Sequence, residues 1–153
     1  MERLIEWAIN NNYSISTCES FTGGAFSNAL TNVSGSSKAY KGGFVCYSNE
    51  FKVDVLKIDI KVIKKYSPVS VEVLTEMLNK TQKILLTDIV IGYTGWAPPL
   101  DKKNSDSGLT YYGFKIKDEI TIIEYKLEAN MDRSHFKTIM IEKLIKQIEK
   151  RMI

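Results

Sequence analysis

Asp88-Ile89-Val90-Ile91-Gly92-Tyr93-Thr94-Gly95 is the stretch on which the fold turns. Residues 88–93 read as one strand, apolar from Ile89 onward and bounded by Thr94-Gly95, the signature of a strand covered on both faces. Upstream, Ser70 caps a helix whose apolar stripe is Val73, Leu74, Met77 and Leu78. A lysine-rich connector carrying Pro68 precedes it, and before that Asn49 caps a helix over residues 50–56. Residues 43–48 read as a strand with Phe44 and Cys46 on one face and Val45 and Tyr47 on the other. Residues 25–31 form a helix entered through Thr22-Gly23-Gly24, residues 13–18 a strand, and Leu4, Ile5 and Ala8 mark a short amphipathic helix. Downstream, residues 96–107 are the one long loop, residues 109–116 and 120–127 are strands joined by the turn Lys117-Asp118-Glu119, and residues 132–151 form a closing helix that buries Phe136, Met140, Leu144 and Ile148.

Strands alternating with helices, then a hairpin and a last helix, predict an α/β fold with a mixed sheet and helices on both faces. In open sheets of this kind ligands bind beyond the carboxyl ends of the parallel strands. The loops beginning at Glu19, Ser48 and Thr94 follow such ends, which brings Ser20, Thr22, Tyr47, Lys52 and Thr94 near one another.

The 153 residues suit one domain, residues 1–153, able to bury roughly two thirds of its unfolded surface. A net charge of +3, from 21 basic and 18 acidic residues, comes from scattered lysines without a basic arm, so no nucleic-acid partner is expected and a small anionic substrate is compatible. Cys18 and Cys46 lack CxxC spacing and sit in strand-like runs, which points to apolar packing in a reducing compartment. No run of eighteen apolar residues and no charged-then-apolar leader is present, so the expected place is the cytoplasm, without membrane partners.

A hydrolase without a metal or a usable histidine must draw its nucleophile from a hydroxyl or thiol beside another base, and serine with lysine and tyrosine in reach is one of the few remaining solutions. Gly35-Ser36-Ser37, Tyr47 and Lys52 offer the parts, although Ser36 and Ser37 also read as loop residues and Tyr47 as an ordinary amphipathic strand residue. Lys52 in the first turn of a helix either has its ammonium disfavoured by the dipole, leaving a base, or is a solvated lysine at a helix start. Thr22-Gly23-Gly24 before a helix either cradles a phosphate or is a glycine turn with a threonine cap. Arg133 either grips phosphate or pairs with Glu128 or Asp132. His135, the one histidine, has no ligand set beside it, so neither metal nor cofactor is expected.

The stretches Thr17-Cys18-Glu19-Ser20-Phe21-Thr22-Gly23-Gly24, Val33-Ser34-Gly35-Ser36-Ser37 and Gly43-Phe44-Val45-Cys46-Tyr47-Ser48-Asn49-Glu50-Phe51-Lys52 together resemble the C-terminal domain of the competence/damage-inducible CinA family. Pro68-Val69-Ser70, Thr94-Gly95 and Asp132-Arg133 are similar to further elements of that family. The resemblance implies a three-layer α/β/α sandwich with a mixed, mostly parallel sheet, and a nicotinamide-nucleotide amidase that converts nicotinamide mononucleotide to nicotinate mononucleotide and ammonia. It places the family's catalytic serine, tyrosine and lysine on Ser37, Tyr47 and Lys52, and its substrate-holding residues on Ser20, Thr22, Gly23, Gly24, Thr94 and Arg133. The implied partner is a small pyridine nucleotide, with homo-oligomerisation left open. The chain departs from the family pattern at Ala97-Pro98-Pro99-Leu100-Asp101 and Asp106-Ser107-Gly108-Leu109-Thr110, where family glycines are missing. That departure motivates an alternative, a non-catalytic ligand-binding or competence-related regulatory module on the same fold.

Overall fold

The computed structural model describes residues 1–152. Its chain order is α1 (Glu2–Asn10), β1 (Ile15–Glu19), α2 (Ala25–Thr31), a 3-10 turn at Ser36–Lys38, β2 (Tyr40–Val45), α3 (Asn49–Asp54), α4 (Ile60–Tyr66), α5 (Val71–Leu85), β3 (Ile89–Gly95), β4 (Leu109–Ile116), β5 (Glu119–Lys126) and α6 (Arg133–Glu149). One sheet runs β2-β1-β3-β4-β5. β1 pairs in parallel with β2 and β3, while β3–β4 and β4–β5 are antiparallel, so only β4 opposes the common direction.

Burial explains which strands are where. β1 is buried at every position and β3 at all but Gly95, as the unbroken apolar run of β3 predicts for a strand roofed on both sides. β2 alternates between half-buried and exposed residues because it is an edge strand. On one face, Leu4, Ile5, Ala8, Phe26, Leu30, Phe136, Met140 and Leu144 from α1, α2 and α6 pack on Ile15, Ile89, Ile91 and Tyr93. On the other, Leu56, Ile63, Val73, Leu74, Met77 and Leu78 from α3 to α5 and their connections cover Cys18, Cys46 and Val90. These are the three layers. Gly92 is where α5 comes closest: a Cβ there would lie 2.8 Å from Cys18 Sγ and 3.0 Å from Leu74 Cδ1.

Several boundaries differ from the sequence expectation, each for a local reason. β2 starts at Tyr40, three residues before the expected strand, and ends at Val45, leaving Cys46, Tyr47 and Ser48 in the connection that follows. The cap of α3 is Ser48 rather than Asn49; its Oγ accepts from the Phe51 N–H at 3.0 Å. The lysine-rich connector contains α4, capped by Asp59 and burying only Ile63, so its single apolar contact gave the sequence no stripe to read. Ser70 and Asp132 cap α5 and α6. Both cysteines are free and buried.

Candidate active site

β1 leads through α2 to β2 on one side, and the chain then returns over β1 to form β3 on the other. The two crossovers diverge at β1, which opens a crevice at the carboxyl ends of β1, β2 and β3. A cleft of about 420 Å³ occupies it, lined by residues from Ser20-Phe21, Tyr47 to Glu50, Lys52, Pro68-Val69, Thr94 to Ala97, and Arg133.

Lys52 forms the cleft's chemical centre. α3 carries it inward, only 2% exposed, and its ammonium reaches the Cys46 carbonyl at 2.9 Å and Ser20 Oγ at 3.4 Å. Burial lowers its pKa from 10.5, partly opposed by the two cysteines and Glu50. Desolvation is the largest cause of that lowering. Among the described residues no carboxylate lies within ion-pair distance of it, so the neutral amine is the form that burial favours. Ser20, 7% exposed, follows directly on β1, and its backbone N–H donates to the Tyr93 carbonyl at 3.2 Å, which fixes the hydroxyl between β2 and β3.

Glu19 holds this turn from behind. Its carboxylate is fully buried and accepts from the Phe26 N–H at 3.0 Å, the Ser27 N–H at 2.8 Å and the Ser27 hydroxyl at 2.6 Å. Its backbone carbonyl accepts from the Cys46 N–H at 2.7 Å. One residue thus ties β1 to α2 and to Cys46, whose carbonyl receives the Lys52 amine.

The sequence-predicted residues divide sharply. Ser20, Tyr47, Lys52, Thr94 and Arg133 all line the cleft. Tyr47 stands on the rim, 63% exposed. Thr94 is buried and donates to the Pro68 carbonyl at 2.8 Å, tying β3 to the segment before α5. Arg133 pairs with neither Glu128 nor Asp132; its Nη1 donates to the Pro98 carbonyl at 2.7 Å, pinning the long loop to the start of α6.

Ser37 is not brought to this group. It is exposed on the 3-10 turn before β2, whereas Tyr47 and Lys52 follow β2, so the whole strand, roughly 20 Å at 3.3 Å per residue, separates them. Thr22, Gly23 and Gly24 also stand outside the lining. The α2 N-terminus that would cradle a phosphate is already satisfied by Glu19. Ser20 is the serine that meets Lys52, a pairing that strand polarity in the sequence could have favoured. Trp96 and Phe21 on the lining were missed; the position of Trp96 just past the carboxyl end of β3 was the available signal. No group of three or more His, Cys, Asp or Glu suited to a metal occurs among the described residues. Among those residues no helix is long and apolar enough to cross a membrane.

Comparison with known proteins places this geometry in context. The family model described as "CinA C-terminal domain" matches residues 1–152. A "Putative competence-damage inducible protein" of Clostridium novyi is 35% identical over 140 residues, covering 91% of this chain and 34% of that protein. A protein of the same description from Bacillus subtilis is 37% identical over 111 residues, 72% of this chain and 27% of its own length. The chain thus spans about a third or less of these curated relatives. Among solved structures, a CinA superfamily protein of Klebsiella pneumoniae superposes with a TM-score of 0.90 at 21% identity, covering 99% of this chain and 94% of that one. One from Escherichia coli superposes at 0.88 with 23% identity, covering 96% and 85%. At that identity these two likenesses speak to the fold alone.

Proposed function

Because this chain belongs to the CinA C-terminal domain family, we propose that it is a nicotinamide-nucleotide amidase, releasing ammonia from nicotinamide mononucleotide with Ser20 as nucleophile and Lys52 as its base. The observation that carries the proposal is the 3.4 Å approach of Ser20 Oγ to the amine of a buried Lys52 within the cleft. A long contact of this kind suits a hydrogen bond that tightens when substrate seats.

Ser20 Oγ attacks the carboxamide carbon while neutral Lys52 takes its proton. Negative charge develops on the amide oxygen, and backbone N–H groups on the cleft lining are its natural stabilisers. The tetrahedral intermediate collapses as the Lys52 ammonium returns the proton to the departing nitrogen, giving ammonia and a nicotinoyl ester on Ser20. Water then adds to the ester, Lys52 again taking a proton, and nicotinate mononucleotide leaves with Ser20 restored. Tyr47 on the rim is a candidate to assist these transfers, and Thr94 and Arg133 are candidates to hold the substrate.

The test is ammonia release by purified protein. Ser20→Ala and Lys52→Met lose turnover by at least about a thousandfold, the scale of losing nucleophile or base, while Ser37→Ala turns over as the parent does. Loss of activity in Ser37→Ala with activity retained in Ser20→Ala would overturn the assignment. Binding of the nucleotide without ammonia release by the unmodified protein would leave the non-catalytic module as the better reading.

A further inference from the structure

The cleft mouth carries aromatic surface that the Ser20–Lys52 chemistry does not use. Trp96 is held by its backbone on both sides, its N–H donating to the Leu109 carbonyl at 2.8 Å and its carbonyl accepting from the Gly108 N–H at 3.0 Å. A residue pinned in this way has a fixed place in the loop, yet it remains 40% exposed and lines the cleft. Tyr47, more exposed still, stands on the same rim, and buried Phe21 contributes to the wall. The charges around the mouth are few. Lys52 lies deep, with burial favouring its neutral form. The Arg133 guanidinium donates to the Pro98 carbonyl, and Glu50 is the one acid on the lining.

We infer that Trp96 is a specificity-determining residue that selects a cationic, N-substituted pyridinium ring over a neutral pyridine. The inference rests on the amidase reading for the identity of the ring. An indole face attracts a cation through its quadrupole, and tryptophan is the strongest such face among the side chains. A nicotinamide joined to ribose through its ring nitrogen carries that positive charge; free nicotinamide does not. Glu50 reinforces the preference from the same rim. Stacking on Trp96 would also distinguish substrate from its own hydrolysed base without any contact to the phosphate, so one residue favours the intact nucleotide from the ring end.

Equilibrium dialysis with two small probes, cationic N1-methylnicotinamide and neutral nicotinamide, tests this without requiring turnover. The unmodified protein binds the cation more tightly. Trp96→Leu weakens cation binding by about three- to thirtyfold, the range of a cation–π contact, and nicotinamide binding by much less, while Trp96→Phe falls between. In Trp7→Phe, where Trp96 is the remaining indole, the bound cation gives an indole-to-pyridinium charge-transfer absorbance that Trp96→Leu lacks. Equal weakening of both probes, or unchanged cation binding in a Trp96→Leu protein with an unaltered thermal midpoint, overturns the inference. Ammonia release measured alongside separates the two ideas: turnover without charge selectivity sinks the role of Trp96 alone, and charge selectivity without turnover sinks the amidase reading alone.

Discussion

At the scale of single residues, Lys52 governs the expected pH behaviour. Its pKa is lowered from 10.5 by burial, and the neutral amine is the competent base. kcat/KM for ammonia release therefore rises with pH on the acid side and levels once Lys52 is deprotonated, at a pH below the ordinary lysine value. Stability follows the same direction. Between the lowered folded value and the unfolded one, the unfolded chain holds more protons, so stability increases with pH across that window. Thermal midpoints measured against pH show this slope in the parent and a flatter one in Lys52→Met; identical slopes would remove Lys52 as the source. The cysteines behave oppositely to reactive thiols. Burial raises Cys18 strongly and Cys46 to about 11, so both stay protonated at neutral pH. Iodoacetamide is expected to modify neither until the protein is unfolded, and rapid alkylation of the native protein, read by mass spectrometry, would contradict their placement.

At the scale of elements, the junction of β1 with α2 depends on a carboxylate. Glu19 offers two oxygens to three donors, and a glutamine has only one oxygen to offer while its amide group faces an N–H. Glu19→Gln is expected to destabilise the fold by about 1–3 kcal/mol, the cost of leaving a buried donor unsatisfied, seen as a lower denaturation midpoint. A midpoint unchanged from the parent would mean that water or another side chain replaces the cap. The same junction explains why Thr22-Gly23-Gly24 does not serve as an anion cradle. The helix N-terminus looks free when only the residues that open it are considered, and it is filled by a side chain from the strand before it.

At the scale of the whole molecule, the two apolar layers share β1 and β3, and neither can be lost while the sheet persists. Trp7 lies with Tyr13 beside the β4–β5 turn, at the end of the sheet away from the cleft, whereas Trp96 is on the cleft rim. Their fluorescence, read separately in Trp96→Phe and Trp7→Phe, and far-UV circular dichroism are expected to report coincident denaturant transitions once referred to each variant's own stability, as a cooperative unit requires. Separated midpoints for the indole signal and the dichroism of one variant would show that the two ends open independently.

By itself the sequence determined the element order, the burial of β3 and the helix stripes, because apolar periodicity and capping residues act within a few positions of one another. Ser70 before α5 and the unbroken run of β3 were both legible for that reason. The carboxyl-end rule, which needs only strand direction, grouped Ser20, Thr22, Tyr47, Lys52 and Thr94, and all of these but Thr22 line the cleft. The partner of Lys52 was decided in three dimensions. Ser37 resembles a catalytic position by motif but lies before β2; the strand between it and Lys52 was legible, whereas the approach of Ser20 to the Lys52 amine was not. No local pattern records that Glu19 fills the α2 terminus, that Arg133 turns to Pro98, or that burial lowers the pKa of Lys52. Those outcomes depend on contacts between residues distant in the chain and on how much water the packed layers exclude, and neither exists until the sheet has formed.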